Sequence, residues 1–567
     1  MHGCLSIGPA RHEEFSRQGP DAISLRGGGW IDVRAILHNR HDLVRRLALA
    51  DTPSPRSDAE LVAEAYQHWG PECGAHLVGE WAYAACDTAN RRRVLSRDAF
   101  GLAPLYYHQK NDRIWFSDSL TDLQARAGLP RHLDPVPLAQ LGLGTKRDTR
   151  CFQRGAHSVP PAQALVFTSD GTKHRVRYWQ PANVPEIRYA SDGAYREAFL
   201  ALYDEVVAAM LDGAGPVGIA LSSGLDSASA AAIAAPQLAL RGEPLRAFCW
   251  VPAPGAHALP MKGRNSNEWE GAEQVASHVG NIGLTRVSGY PDGVLAAVRR
   301  MLAVTDDLSN AIPGWGWYDS ILRQAAADGV GTILTGDFGN HTISQERREV
   351  AVSPLRRIVR DARIKWRRQR REAIAHPRLL VRPDFVRRTL AGVPPADPEL
   401  NALWRHARQP LRSLYNILHS GGAAETGQFA AALGMRLGMP ALDRRLVEFC
   451  LGIPDDQIAR GHETRRLIRH GFAGRLPDAI LQSRERGLPG SDYALAVAAE
   501  GEAVRAILDS AGRSPIVRDA LNLRWLERTA ARMVADPEQL DAPAAGLLMR
   551  GVTYAMFLDS FDDVAPA

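Results

Sequence analysis

Lysine is scarce in this 567-residue chain. Five occur, at Lys110, Lys146, Lys173, Lys262 and Lys365, so arginine carries nearly all of the positive charge. The net charge of +5 is too mild to imply nucleic acid as a partner. The six cysteines, Cys4, Cys73, Cys86, Cys151, Cys249 and Cys450, include no CxxC pair. That argues against a zinc site or a disulfide framework and suits a reducing cytoplasm. Long apolar runs are missing too: Val217–Leu221 and Ala230–Ala235 fall well short of the ~18–20 residues that span a bilayer. The first twenty residues have no basic start followed by an apolar core, so no secretory signal is expected. There is no GxxxxGK[ST] loop, internal repeat or low-complexity tract.

What is present is ordinary globular usage, 45% apolar and 23% charged, in a chain long enough for two to four domains. Residues 1–185 carry short β-type runs, among them Ala82–Cys86, Arg93–Ser96, Leu105–His108 and Ile114–Ser117, and read as a strand-rich α+β domain. Gln180–Ala190 reads as a linker. Residues 195–567 open with a helix, Tyr195–Leu211, followed by strands Val217–Leu221, Leu245–Val251 and Gly331–Thr335. The last strand follows a helix, Tyr318–Ala327; strands alternating with helices imply a parallel α/β sheet. After Arg347 the pattern is mostly helical. Arg356, Arg357, Arg360, Arg363, Lys365, Arg367, Arg368, Arg370 and Arg371 form a basic stretch that fits either a solvated face or a surface for an acidic partner.

The most informative local motif is Ser222-Ser223-Gly224-Leu225-Asp226-Ser227, between a buried strand and an Ala-rich helix. A short Ser/Gly turn bares backbone N–H groups, and the helix N-terminus adds partial positive charge, so the segment suits an anion. Asp226 fits a magnesium ion bridging phosphates. The same residues also fit a plain capped helix start.

Ser222–Ser227 resembles the SGGxDS pyrophosphate loop of the ATP-pyrophosphatase superfamily, with Ser223 in place of a glycine. Ile333–Asn340 resembles the second acidic loop of the asparagine synthetase family. Pro440–Phe449 is similar to its PFLDRRLVEF stretch, and Arg465–Arg469 with Leu476–Asp478 to its K..LR…LP segment. Ser57–Glu60, Gly79–Tyr83 and Arg97–Tyr107 resemble a class II glutamine amidotransferase domain. The resemblance implies an N-terminal Ntn-type αββα domain and a C-terminal parallel α/β PP-loop domain with a helical extension. It also implies ATP and Mg2+ as cofactors.

The departures narrow this expectation. Position 2 is His2 where the family's glutaminase begins with cysteine, and the RLxIxD and NGE motifs are missing, so the amidotransferase half is expected to be degenerate. Without an ammonia supply the amine should come from the substrate. Gly339-Asn340-His341-Thr342-Ile343-Ser344 and Arg484–Asp492 are similar to lasso peptide cyclases, with Pro489 departing from a glutamine. That branch implies macrolactam formation on a leader-free core peptide, with a leader peptidase and a leader-binding protein as partners. The expected roles are nucleotide binding by Ser222, Ser223, Gly224, Asp226, Ser227 and Gly336, and metal binding by Asp226 and Asn340. Asp337 is the expected base, with Glu268 or Glu270 as weaker candidates, and Arg465 stands where the family has a catalytic lysine. An amidoligase on a small molecule, similar to asparagine synthetase or β-lactam synthetase, and a non-catalytic ATP-binding scaffold are the alternatives.

Overall fold

The computed structural model describes residues 1–6, 22–49, 56–143, 149–254, 263–308, 315–345, 380–393, 414, 422–488, 490–536 and 542–564. The basic stretch 356–371 and Pro489 lie outside the described residues.

Alternation along one strand explains the N-terminal half. In Gly79–Asp87, Trp81, Tyr83 and Ala85 face one side and Ala82, Ala84 and Cys86 the other, and all six are buried. A strand buried on both faces needs a layer on each. One layer is the helix Asp58–Trp69, which sets Leu61, Val62, Ala65 and Tyr66 against the first face. The other is a second sheet, which supplies Leu5, Ile114 and Phe116. The strand sits in a six-stranded antiparallel sheet whose order is Lys173–Arg177, Gln163–Thr168, Arg92–Arg97, Gly79–Asp87, Gly29–Leu37, Ile23–Ser24. The facing sheet runs His2–Ser6, Arg113–Ser117, Tyr106–Lys110, His157–Ser158. Helix Leu120–Ala127 covers its outer face through Leu120 and Leu123, against Tyr106. The layers are therefore helix, sheet, sheet, helix. Ser57–Glu60 forms a capping box at the start of its helix, and the Asp58 carboxylate accepts the Leu37 N–H and pairs with Arg40.

The C-terminal half is built on a five-stranded parallel sheet, ordered Ile282–Ser288, Leu245–Val251, Val217–Ala220, Thr332–Leu334, Arg436–Gly438. Period-two burial again gives two covered faces. Ala247, Cys249 and Val251 pack with helices Asp192–Leu211, Leu225–Ala239 and Trp269–Val279. Phe248 and Trp250 face helix Trp315–Ala327 and belong to a second core that continues through helix Val294–Thr305 and the terminal helices Tyr493–Ala499, Gly501–Ala511, Leu523–Ala535 and Ala542–Leu558. That second core is continuous with Phe100, Leu102, Leu138 and Trp179 of the N-terminal half.

Strand order reverses between Val217–Ala220 and Thr332–Leu334. From the first strand the chain winds outward one way, and from the fourth it winds the other way. The loops leaving the carboxyl ends of these two neighbours therefore diverge and open a crevice, where doubly wound sheets bind their ligands. The expected strands and helices recur with shifted ends, Val217–Ala220 for Val217–Leu221 and Asp192–Leu211 for Tyr195–Leu211. Within this parallel sheet, Ile282–Ser288 and Arg436–Gly438 were not anticipated. Among the described residues no helix is long and apolar enough to cross a membrane.

Candidate active site

The crevice at the reversal is a cleft of about 340 Å³, lined by Ser222–Ser227 from the first loop and by Thr335, Gly336, Asp337 and Asn340 from the second. Trp250, Trp317 and Tyr318 form an aromatic wall, and Arg264, Arg465, Glu485 and Arg486 complete the rim.

The first loop is tied to itself. The Ser222 N–H donates to Ser227 Oγ at 3.1 Å, the Gly224 N–H donates to Ser222 Oγ at 3.1 Å, and the two hydroxyls lie 2.8 Å apart. The first helical bond runs from Ala228 N–H to Gly224 O, so the N–H groups of Leu225, Asp226 and Ser227 precede the helical ladder. That is the donor set of an anion cradle. The second loop comes very close. A Cβ at Gly336 would lie 2.4 Å from Ser227 N, and one at Gly339 would lie 2.4 Å from Asp226 Cγ. Only glycine fits at either place.

Asp226 is therefore enclosed. Its Oδ1 is buried and accepts no hydrogen bond among the described residues. Burial pushes its carboxyl up to about 6, and Asp337 adds to this, while Ser344 and Arg465 favour the ionised form. Asp337 accepts hydrogen bonds on Oδ2 from Tyr318 Oη at 2.9 Å and from Thr335 Oγ1 at 3.1 Å, and burial raises its carboxyl as well. It has no ion pair among the described residues. Arg465 follows the small hairpin of Ala459–Arg460 and Glu463–Thr464 and precedes helix Arg466–Gly471. It holds a left-handed conformation at φ +57°, and Phe338 on the second loop holds another at +64°. Non-glycine residues in that region are uncommon and concentrate at functional sites.

The expected residues thus converge, apart from Glu270. Glu268 lines the cleft, buried and held by the first loop: its Oε1 accepts from Ser223 N–H at 3.2 Å and from Ser223 Oγ at 3.0 Å. Glu270 is exposed on its helix and does not line the cleft. Tyr318, Trp250 and Trp317 were missed. Nothing local marks them, because only the tertiary fold brings them to the loops.

Among the described residues no group of three His, Cys, Asp or Glu side chains is placed to hold a metal alone. Asp226, with its orphaned oxygen, and Asn340 offer hard oxygens in one cleft. That donor set fits a magnesium ion held jointly with phosphates.

The Pro440–Phe449 segment does a different job. The Asp443 carboxylate caps helix Arg444–Gly452 through Arg445 N–H, lies 3.1 Å from His38 Nδ1, and pairs with Arg445. Arg444 donates to Gly74 O and Ala75 O, and Trp179 Nε1 donates to Glu448 at 2.8 Å. The segment clamps the two halves together.

The model of the asparagine synthase family matches residues 198–549, and that of a glutamine amidotransferase domain matches residues 23–179. The glutamine-hydrolyzing asparagine synthetase 3 of Bacillus subtilis (strain 168) is 25% identical over 572 residues, covering 95% of this chain and 87% of its own. Asparagine synthetase B of Escherichia coli (strain K12) is 26% identical over 230 residues, 40% of this chain and 36% of its own. A solved B. subtilis glutamine phosphoribosylpyrophosphate amidotransferase aligns over 40% of this chain and 47% of its own, at 15% identity and a TM-score of 0.21, too slight a likeness to inform the fold.

Proposed function

Because this chain belongs to the asparagine synthase family, whose members are ATP-dependent amide-forming ligases, we propose that it closes a macrolactam on a leader-free precursor peptide, as lasso peptide cyclases do. The observation that carries this reading is the state of Cys4. It sits inside the strand His2–Ser6, opposite Trp115, and burial pushes its thiol above the ordinary value. An amidotransferase nucleophile needs the opposite, a thiol activated toward thiolate. The amidotransferase match also begins past it, at residue 23. With no ammonia made on the chain, the amine is supplied by the peptide.

In this reading ATP lies on Ser222–Ser227, with Gly336 letting the second loop close on it. Magnesium, held by Asp226 and Asn340, supplies neutralisation of phosphate charge when bound. An Asp or Glu side chain of the peptide attacks the α-phosphorus, giving an acyl adenylate and pyrophosphate. The peptide's α-amine then attacks the activated carbonyl, Asp337 takes its proton, and AMP leaves. Arg465 stabilises the negative charge that develops. The chain would work in the cytoplasm, beside a leader peptidase and a leader-binding protein. The second reading, a small-molecule amidoligase, is favoured by the near full-length match to an asparagine synthetase.

Mass spectrometry on the full chain with ATP, magnesium and the leader-free peptide encoded beside its gene tests the proposal. The expected result is loss of one water with one AMP formed, abolished by Asp226→Ala. An unchanged peptide mass without AMP overturns it. AMP formation with aspartate and ammonia instead selects the second reading.

A further inference from the structure

We propose that Tyr318 is the positioning residue for Asp337. Its hydroxyl, together with that of Thr335, fixes one carboxylate oxygen and leaves the other to receive the proton of the attacking amine. The inference rests on the reading of Asp337 as the base.

Both donors converge on the same atom. Tyr318 Oη lies 2.9 Å and Thr335 Oγ1 3.1 Å from Asp337 Oδ2, while Oδ1 accepts no hydrogen bond among the described residues. A carboxylate gripped at one oxygen has one rotational setting, so Oδ1 is aimed rather than merely present. The donors are neutral. An arginine at the same place would hold the carboxyl ionised and weaken its hold on a proton, whereas hydroxyls orient it without cancelling its charge.

Tyr318 is itself immobilised. It begins a run of three consecutive side chains on helix Trp315–Ala327, each anchored to a different element. Tyr318 reaches the second loop, Asp319 accepts from Arg300 Nε at 3.1 Å, and Ser320 Oγ donates to Gly289 O at 3.0 Å. The Tyr318 ring is 8% exposed and meets Trp317 edge-on at 5.0 Å. Fixing the donor to this degree is what holding a reacting group to sub-ångström tolerance requires.

In the step served, the amine nitrogen forms a bond to the acyl carbon and the acyl carbon–oxygen bond to AMP breaks. AMP departs with the electron pair, and the surplus proton passes to Asp337 Oδ1. Adenylation, the earlier step, transfers no proton to Asp337, so the two steps should separate.

Tyr318→Phe in the full chain keeps the ring and deletes only the hydroxyl. Ring closure should fall on the order of 10–100-fold more than peptide-dependent exchange of labelled pyrophosphate into ATP, a fraction of what a general base supplies. Thr335→Val should show the same split, and it carries the test should Tyr318→Phe fail to fold. Equal losses in exchange and closure would mean that Tyr318 only supports the fold, and unchanged closure would mean that it does nothing for Asp337; either overturns the inference. Failure of the parent reading looks different: the unsubstituted chain then forms neither AMP nor ring from the peptide.

Discussion

Asp226 shows at the scale of one residue how this cleft sets chemistry against stability. Its carboxyl is raised from 3.8 to about 6 by burial. A raised carboxyl binds its proton more tightly in the folded chain, so folding is favoured below pH 4 and that advantage is gone above pH 6. Asp226→Asn, in the absence of ATP and magnesium, should therefore raise the melting temperature at pH 7–8. The shift corresponds to on the order of 1–3 kcal/mol. The gain should vanish as the pH approaches 3.5, and a thermal-shift series across pH reads this directly. The same substitution should remove AMP formation. Gly339→Ala tests the other side of the contact: its Cβ would meet Asp226 at 2.4 Å. It should cost ~1–3 kcal/mol in urea unfolding and at least ten-fold in pyrophosphate release.

At the scale of elements, helix Arg444–Gly452 and its cap join the halves. Asp443 is buried. Burial opposes its ionisation, yet His38 and Arg445 hold its carboxyl well below the ordinary range. Its stabilisation is present above pH 4 and lost as acid protonates it. Asp443→Ala should cost ~3–5 kcal/mol at neutral pH, because it strands the buried His38 and takes one carboxylate from the half-buried Arg445. It should also flatten the acid side of the stability profile, as urea titrations at several pH values would show.

How far these elements could be read in the sequence follows from their environment. Val217–Ala220 and Leu245–Val251 are legible because two covered faces demand continuous apolar runs. Ile282–Ser288 escapes because it is the edge of the sheet, half-exposed, and carries Gly283, Thr285 and Arg286. Arg436–Gly438 escapes because three residues carry no period. The two acidic loops were legible through their glycines and aspartates. Tyr318 was not, since its neighbour in chemistry lies 19 residues along the chain. The hold on Glu268 was not legible either, because a sequence cannot show Ser223 turning both its donors onto it.

Over the whole molecule the two halves share one apolar core. Arg131 adds a clasp: its guanidinium pairs with Asp306 at 2.6 Å and reaches Ser560, and Asp563–Val564 runs parallel to His132–Leu133. Calorimetry should accordingly show one cooperative transition rather than two. Arg131→Glu, which sets a carboxylate against Asp306, should lower and broaden it.

The arginine bias acquires a meaning at the cleft, where the lining cations among the described residues are Arg264, Arg465 and Arg486. A guanidinium stays protonated at any working pH and is no nucleophile. A lysine amine in that position, once deprotonated, would compete with the peptide's own amine for the activated carbonyl and leave the protein acylated on itself. In the proposed reaction, described cations that are all guanidinium groups would steady phosphate charge and offer the mixed anhydride no rival acceptor, leaving the attack to the amine the substrate brings.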